Sequence, residues 1–151
     1  MSDSSSIRVL LEQEGGYAFR VTFEGVAMAS LLTDEPAPLG EGRGPNPASL
    51  LLASVANCLS ASLLFALRKF KNDPGPIRAE ITAQKHRNAE GRWRLAQASV
   101  NIKLSDKAVA FENLQRVLDQ FEQFCIVTQS VREGIAVEVI VRDADGVVLK
   151  S

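Results

Sequence analysis

The chain is short of several residue types on which common functions depend. It has one histidine, one tryptophan, one tyrosine and two cysteines among 151 residues, and a formal net charge of −1. With acidic and basic residues so evenly matched, neither a nucleic-acid footprint nor a disordered acidic tail is expected. Two cysteines cannot build the disulfide framework of a small secreted domain. His86 sits between Lys85 and Arg87 with no ligand at metal spacing, so it reads as a surface residue, and neither a metal nor a cofactor is expected. The opening Met-Ser-Asp-Ser-Ser-Ser lacks a basic region followed by an apolar one, which argues against a secretory signal and for the cytoplasm.

What is present is enough apolar residue, 46%, to bury the core of a single domain over residues 1–151. The uncharged run from Ala48 to Leu67 reaches the length of a membrane span. Ser49, Ser54, Asn57, Ser60 and Ser62 interrupt it, and no aromatic belt flanks it, so a helix buried on nearly all sides is expected and no membrane partner. Asn46 is placed to cap that helix and Pro47 to occupy its first turn, while Asn72-Asp-Pro-Gly-Pro76 ends it.

Short strands are expected around the helix. Ile7 to Leu11, Tyr17 to Phe23 and Val26 to Leu31 are separated by glycine turns; Ile77 to Lys85 and Trp93 to Leu104 flank Asn88-Ala-Glu-Gly91. Ser105-Asp106 opens a second helix whose Val109, Leu114, Val117, Leu118, Phe121 and Phe124 share a face and which carries Cys125 at its end. Ile135, Val137, Val139 and Val141 alternate as a late strand, followed by a turn and a final strand from Val147 to Leu149. The order is an α+β pattern, and the Pro-, Glu- and Gly-rich stretch from Thr33 to Gly42 is a loop within it.

The two cysteines carry the chemistry. Cys58 lies inside the long apolar helix and Cys125 lies in Phe124-Cys-Ile-Val-Thr-Gln-Ser-Val131. Free cysteines commonly pack as small hydrophobes, but if the fold brings these two together they make a peroxidatic and resolving pair. Asn57 and its neighbouring serines either bond around Cys58 or bond back to the preceding helical turn. Phe65, Phe121 and Phe124 read first as core, with a pocket for an apolar molecule as the other use.

The element from Gly44-Pro-Asn-Pro47 through Asn57-Cys58, followed by Phe124-Cys-Ile-Val-Thr128 and the segment Gly134-Ile-Ala-Val-Glu-Val139, resembles the OsmC/Ohr family of osmotically inducible and organic hydroperoxide resistance proteins. Its most specific parts are the Asn-Pro start, with Pro47 eleven residues before Cys58, and the Phe-Cys-x-Val-Thr around Cys125. The resemblance implies an OsmC-like fold: antiparallel sheets around two long central helices in an intertwined homodimer, with active sites across the subunit interface. It also implies an organic hydroperoxide substrate, attack by Cys58, resolution by Cys125, and reduction by a lipoyl-type or other dithiol.

Two positions depart from the family. Ala48 stands where the peroxidases carry a glutamate that orients an arginine over the thiolate, and the arginine's own place in the loop falls near Pro38. Arg43 and Arg20 are the candidate replacement cations, Glu41 the candidate carboxylate, each of them otherwise an ordinary exposed charge. A thiol left without such help would suit the alternative, a non-catalytic or sensing protein that binds a small molecule on the same scaffold.

Overall fold

The computed structural model describes residues 5–151; the first four residues of the stretch that argued against a secretory signal lie outside them. The described chain falls into two compact units. One comprises the residues up to Ser54 together with Ile81–Val100, the other Val55–Glu80 together with Asn101–Ser151.

The first unit is built on a three-stranded antiparallel sheet, β1 (Val9–Gly15), β2 (Ala18–Phe23) and β3 (Leu31–Thr33), in that order. Val9 faces Phe23 and Leu11 faces Val21 across the first pair, and Gly16, at φ 55°, takes the left-handed conformation that turns the chain back. The third strand is not where the glycine turns placed it. Val26 to Ser30 is irregular, and pairing begins only at Leu31, opposite Val21. Gly44 lies against the backbone of Leu32, where any β-carbon would collide with the carbonyl oxygen.

α1 spans Pro47–Lys69. Asn46 caps it as expected: Ser49 N–H donates to Asn46 Oδ1 at 2.9 Å, and Leu50 N–H donates to its carbonyl at 3.1 Å. The expectation that α1 is buried on nearly all sides is corrected. Val55, Ala56, Leu59, Ser62, Leu63, Ala66 and Leu67 form a buried stripe, whereas Leu51 and Phe65 are exposed. By length and composition the helix is long and apolar enough to cross a membrane. β4 (Arg78–Arg87) and β5 (Trp93–Lys103) form a hairpin whose turn is held by Asn88 Oδ1, which accepts from Glu90 and Arg92 N–H.

The core of the second unit is Leu63, Ala66 and Leu67 of α1 against Val117, flanked by Phe70, Ile102, Leu104, Phe111, Leu114 and Phe121. The single second helix expected from Ser105 is instead broken. A 3-10 turn at Ala108–Ala110, α2 (Leu114–Gln120) and a second 3-10 turn at Phe121–Phe124 replace it, and α3 (Ile126–Glu133) follows. The break has a cause in buried Asn72. Its Oδ1 accepts from Glu112 N–H at 2.7 Å and its Nδ2 donates to the carbonyls of Glu112 and Leu67, so Glu112 N–H is spent on a side chain rather than on a helical turn. Asn113 then takes the left-handed conformation at φ 53° before α2 starts.

The strand expected from Ile135 to Val141 is also corrected. Only Val141–Arg142 (β6) pairs, with β7 (Val148–Lys150), and residues 134–140 have no regular structure. Val137 is 78% exposed and Ile135, Val139 and Ile140 are exposed as well. The alternation is intact, but among the described residues it has no ladder partner, and a strand exists only by pairing.

Candidate functional site

Cys125 is not the end of a helix but the beginning of one. Its backbone is extended (φ −85°, ψ 95°) and it is the N-cap of α3: Gln129 N–H donates to its carbonyl at 3.0 Å, and its sulfur accepts from Thr128 N–H at 3.4 Å. The thiol also contacts Thr128 Oγ1 at 3.0 Å, donating when protonated and able to accept from the hydroxyl when ionised. Cys125 is fully buried, and Thr128 is buried beside it.

Cys58 reaches this cap from α1. Both thiols are free, Cys58 half-buried and Cys125 buried, and although 67 positions apart in sequence they lie close enough to couple their ionisation. Ser62, one helical turn after Cys58, is buried on the same face of α1.

These contacts divide the two thiols. Burial, and after it the hydrogen bond and charge of Cys125, push the Cys58 thiol above its ordinary value, against the pull of the Val127 and Thr128 N–H groups. Burial acts on Cys125 in the same direction but is outweighed there. Hydrogen bonds from Cys58, from the Thr128 hydroxyl and N–H, and from Ser62 carry Cys125 below its ordinary value. None of these groups is a cation.

The candidate cations have partners of their own in the first unit. Arg20 pairs with Glu14 and donates to Ser30 Oγ at 2.9 Å. Arg43 lies between Glu41, at 3.5 Å, and Asp34, at 3.8 Å. Asp34, a residue the sequence reading passed over, organises that loop: it is buried and accepts from the backbone N–H groups of Glu35, Glu41 and Arg43. The Arg43 N–H does most to hold the Asp34 carboxyl below its ordinary value of 3.8, prevailing over burial with help from the Glu41 and Glu35 N–H groups and the Arg43 charge. Its short polar side chain in a Pro- and Gly-rich loop was the available signal.

Of the remaining polar candidates, Asn57 and His86 are exposed. Ser54 and Ser60 bond back to the carbonyls of Leu50 and Ala56. Phe65 and Phe124 are corrected from core to surface, at 56% and 44% exposed. They meet edge to face at 5.5 Å, and Lys69 Nζ lies 5.6 Å from the Phe124 ring, next to Cys125 in sequence. Ala48 offers no carboxylate. Among the described residues no group of His, Cys, Asp and Glu could hold a metal ion.

Comparison with known proteins gives a consistent result. The model of the OsmC-like protein family matches residues 40–140. Among curated protein sequences nothing matches. Solved structures of similar fold include an organic hydroperoxide resistance protein of Elizabethkingia anophelis with bound thiocyanate, at TM-score 0.67 and 18% identity, covering 89% of this chain and 94% of that one. They also include the organic hydroperoxide resistance protein OsmC of Legionella pneumophila, at TM-score 0.67 and 15% identity over 87% of this chain and 92% of that one. The organic hydroperoxide resistance protein of Bacillus subtilis follows at TM-score 0.62 and 18% identity, covering 89% and 96%.

Proposed function

This chain belongs to the OsmC-like protein family and has its α+β fold, and on that premise we propose that it is a thiol peroxidase that reduces organic hydroperoxides through Cys58 and Cys125. The observation that carries the reading is the contact between two free thiols of unequal exposure. Half-buried Cys58 is open to a substrate, while Cys125 is fully buried against it. Such a pair suits attack followed by capture. The Cys58 thiolate takes the terminal oxygen of the hydroperoxide, the O–O bond breaks, an alcohol leaves, and Cys58 becomes a sulfenic acid. Cys125 then displaces hydroxide from that sulfur to form a disulfide, which a dithiol of lipoyl type reopens.

In this proposal the active protein is a cytoplasmic homodimer of single-domain subunits acting in oxidative stress defence. The exposed apolar residues from Ile135 to Val141, extended in pattern and unpaired in one chain, support a second subunit, since such a segment ordinarily has a partner. The elevation of Cys58 by burial and by Cys125 favours the second reading, a sensing or binding protein in which Cys58 is not activated. Consumption of cumene hydroperoxide by the reduced protein with dihydrolipoamide separates the two. The peroxidase reading expects turnover in wild type and none in Cys58→Ser; equal rates in both proteins sink it.

A further inference from the structure

The reduced protein already contains a seat for the sulfur that leaves when a disulfide reopens. Cys125 is fully buried at the N-cap of α3, with the Thr128 N–H 3.4 Å and the Thr128 hydroxyl 3.0 Å from its sulfur. α1 packs at this cap: Phe65, seven residues beyond Cys58 and so on the same helical face, meets Phe124 edge to face at 5.5 Å. Resting on the peroxidase reading, we propose that Thr128 is a catalytic residue of the reductive half of the cycle: its N–H and hydroxyl receive the Cys125 sulfur as the disulfide reopens, which draws the Cys58–Cys125 bond toward reduction and ties its redox state to the first turn of α3.

The two forms of Cys125 differ in what they offer Thr128. A thiol has a proton to donate to the hydroxyl oxygen, and a thiolate has a full charge to accept from both the N–H and the O–H. A disulfide sulfur has neither. Thr128 is only 6% exposed, too little for bulk water to take over. Leaving its donors without a strong acceptor costs free energy, and that cost falls on the oxidised form alone. The Cys125 carbonyl accepts from Gln129 N–H at 3.0 Å through the backbone, a bond that does not depend on the state of the sulfur.

Exposure assigns the direction of the exchange. Cys58 is the half-buried sulfur and Cys125 the buried one, so an incoming dithiol reaches Cys58. One thiolate of the dithiol attacks the Cys58 sulfur; a new S–S bond forms, the Cys58–Cys125 bond breaks, and the electron pair leaves on Cys125. A stabilised thiolate leaves faster, and the Thr128 N–H and O–H stand where that charge develops. The second thiol of the dithiol then attacks its own partner sulfur in the mixed disulfide, closes a cyclic disulfide and releases Cys58. Two electrons pass to the protein, and the two protons lost by the dithiol finish on Cys58 and Cys125. By linkage, what the reduced sulfur gains from the cap the cap loses on oxidation, so α3 starts less firmly in the disulfide form.

The test uses no peroxide. Wild type, Thr128→Val and Thr128→Ser are oxidised with diamide and equilibrated at pH 7 with dihydrolipoamide and lipoamide in varied ratio. The Cys58–Cys125 linked peptide is quantified after acid quenching and thiol blocking, and the rate of reopening is followed in the same way. Valine keeps the branched shape and removes the hydroxyl. Its equilibrium should shift toward the disulfide about two- to tenfold, the scale of one hydrogen bond, and reopening should slow by a similar factor. Thr128→Ser should restore both, a rescue that a merely loosened fold would not show. Equal equilibrium constants in the three proteins overturn the role of Thr128.

Amide exchange of wild type, read by NMR, supplies a measurement that needs no variant. The Thr128 amide should exchange faster in the disulfide form than in the reduced form, and the Gln129 amide should change less. Equal exchange at Thr128 in the two forms overturns the proposal. If diamide yields no Cys58–Cys125 disulfide in wild type, the peroxidase reading loses its second step and this role falls with it. If the disulfide forms and its equilibrium ignores residue 128, the role of Thr128 falls and the peroxidase reading stands.

Discussion

Cys125 and Thr128 form a helix cap in which sulfur replaces the usual oxygen acceptor, with the Thr128 N–H at 3.4 Å from the sulfur and its hydroxyl at 3.0 Å. The arrangement makes one residue both the first link of α3 and half of the thiol pair. Replacing Cys125 by alanine removes the cap and is expected to cost about 0.5–2 kcal/mol of stability by urea denaturation. Cys125→Ser, which keeps an acceptor at the cap, should lose less; equal losses would show that the sulfur does not serve as a cap.

Asn72→Ala should be the more damaging change, although it touches neither cysteine. Asn72 joins the carbonyl of Leu67, at the end of α1, to both backbone groups of Glu112, forty positions later. Alanine leaves those groups without their partner in a partly buried place, at a cost of about 1–3 kcal/mol. A denaturation midpoint within error of wild type would contradict the role given to Asn72 in stopping the second helix.

Asp34→Asn tests the loop that holds Arg43 and Glu41. The folded-state pKa of Asp34 lies below its ordinary 3.8, so its contribution to stability is present above that value and is lost as pH falls through the lower folded value. Asparagine cannot accept from Glu35, Glu41 and Arg43 N–H on two oxygens as the carboxylate does. The variant should melt below wild type at pH 7, and the gap should narrow as pH falls below 3.8. A gap that does not change with pH would remove the ionised carboxylate from the account.

The proposed homodimer predicts a species of twice the 16.4 kDa chain mass in sedimentation at micromolar concentration. Val137→Asp, at a strongly exposed apolar position, should shift it toward monomer without unfolding the chain. A monodisperse wild-type monomer would contradict the second subunit.

Local signals were legible where they act through neighbouring residues. Asn46 and Pro47 mark the start of α1 because capping needs only the next three residues, and Asn88 and Gly91 mark their hairpin for the same reason. The second helix was misread because its interruption comes from Asn72, which periodicity over Val109 to Phe124 cannot register. The stretch from Ile135 to Val141 has a strand's pattern and no strand, since pattern reports faces and not partners. In the site, the two cysteines stood out by their scarcity, but the cap at Thr128 and the burial of Ser62 required the fold. A threonine three residues after a cysteine becomes a capping signal only when a helix is known to begin between them.

The most direct test of the peroxidase account is a titration of the fully reduced protein with cumene hydroperoxide in the absence of any reductant, read by thiol count and peptide mapping. The account predicts that each hydroperoxide consumed removes both thiols of one chain and yields a Cys58–Cys125 linked peptide, which dihydrolipoamide reopens. Hydroperoxide that persists while both thiols stay titratable would contradict it.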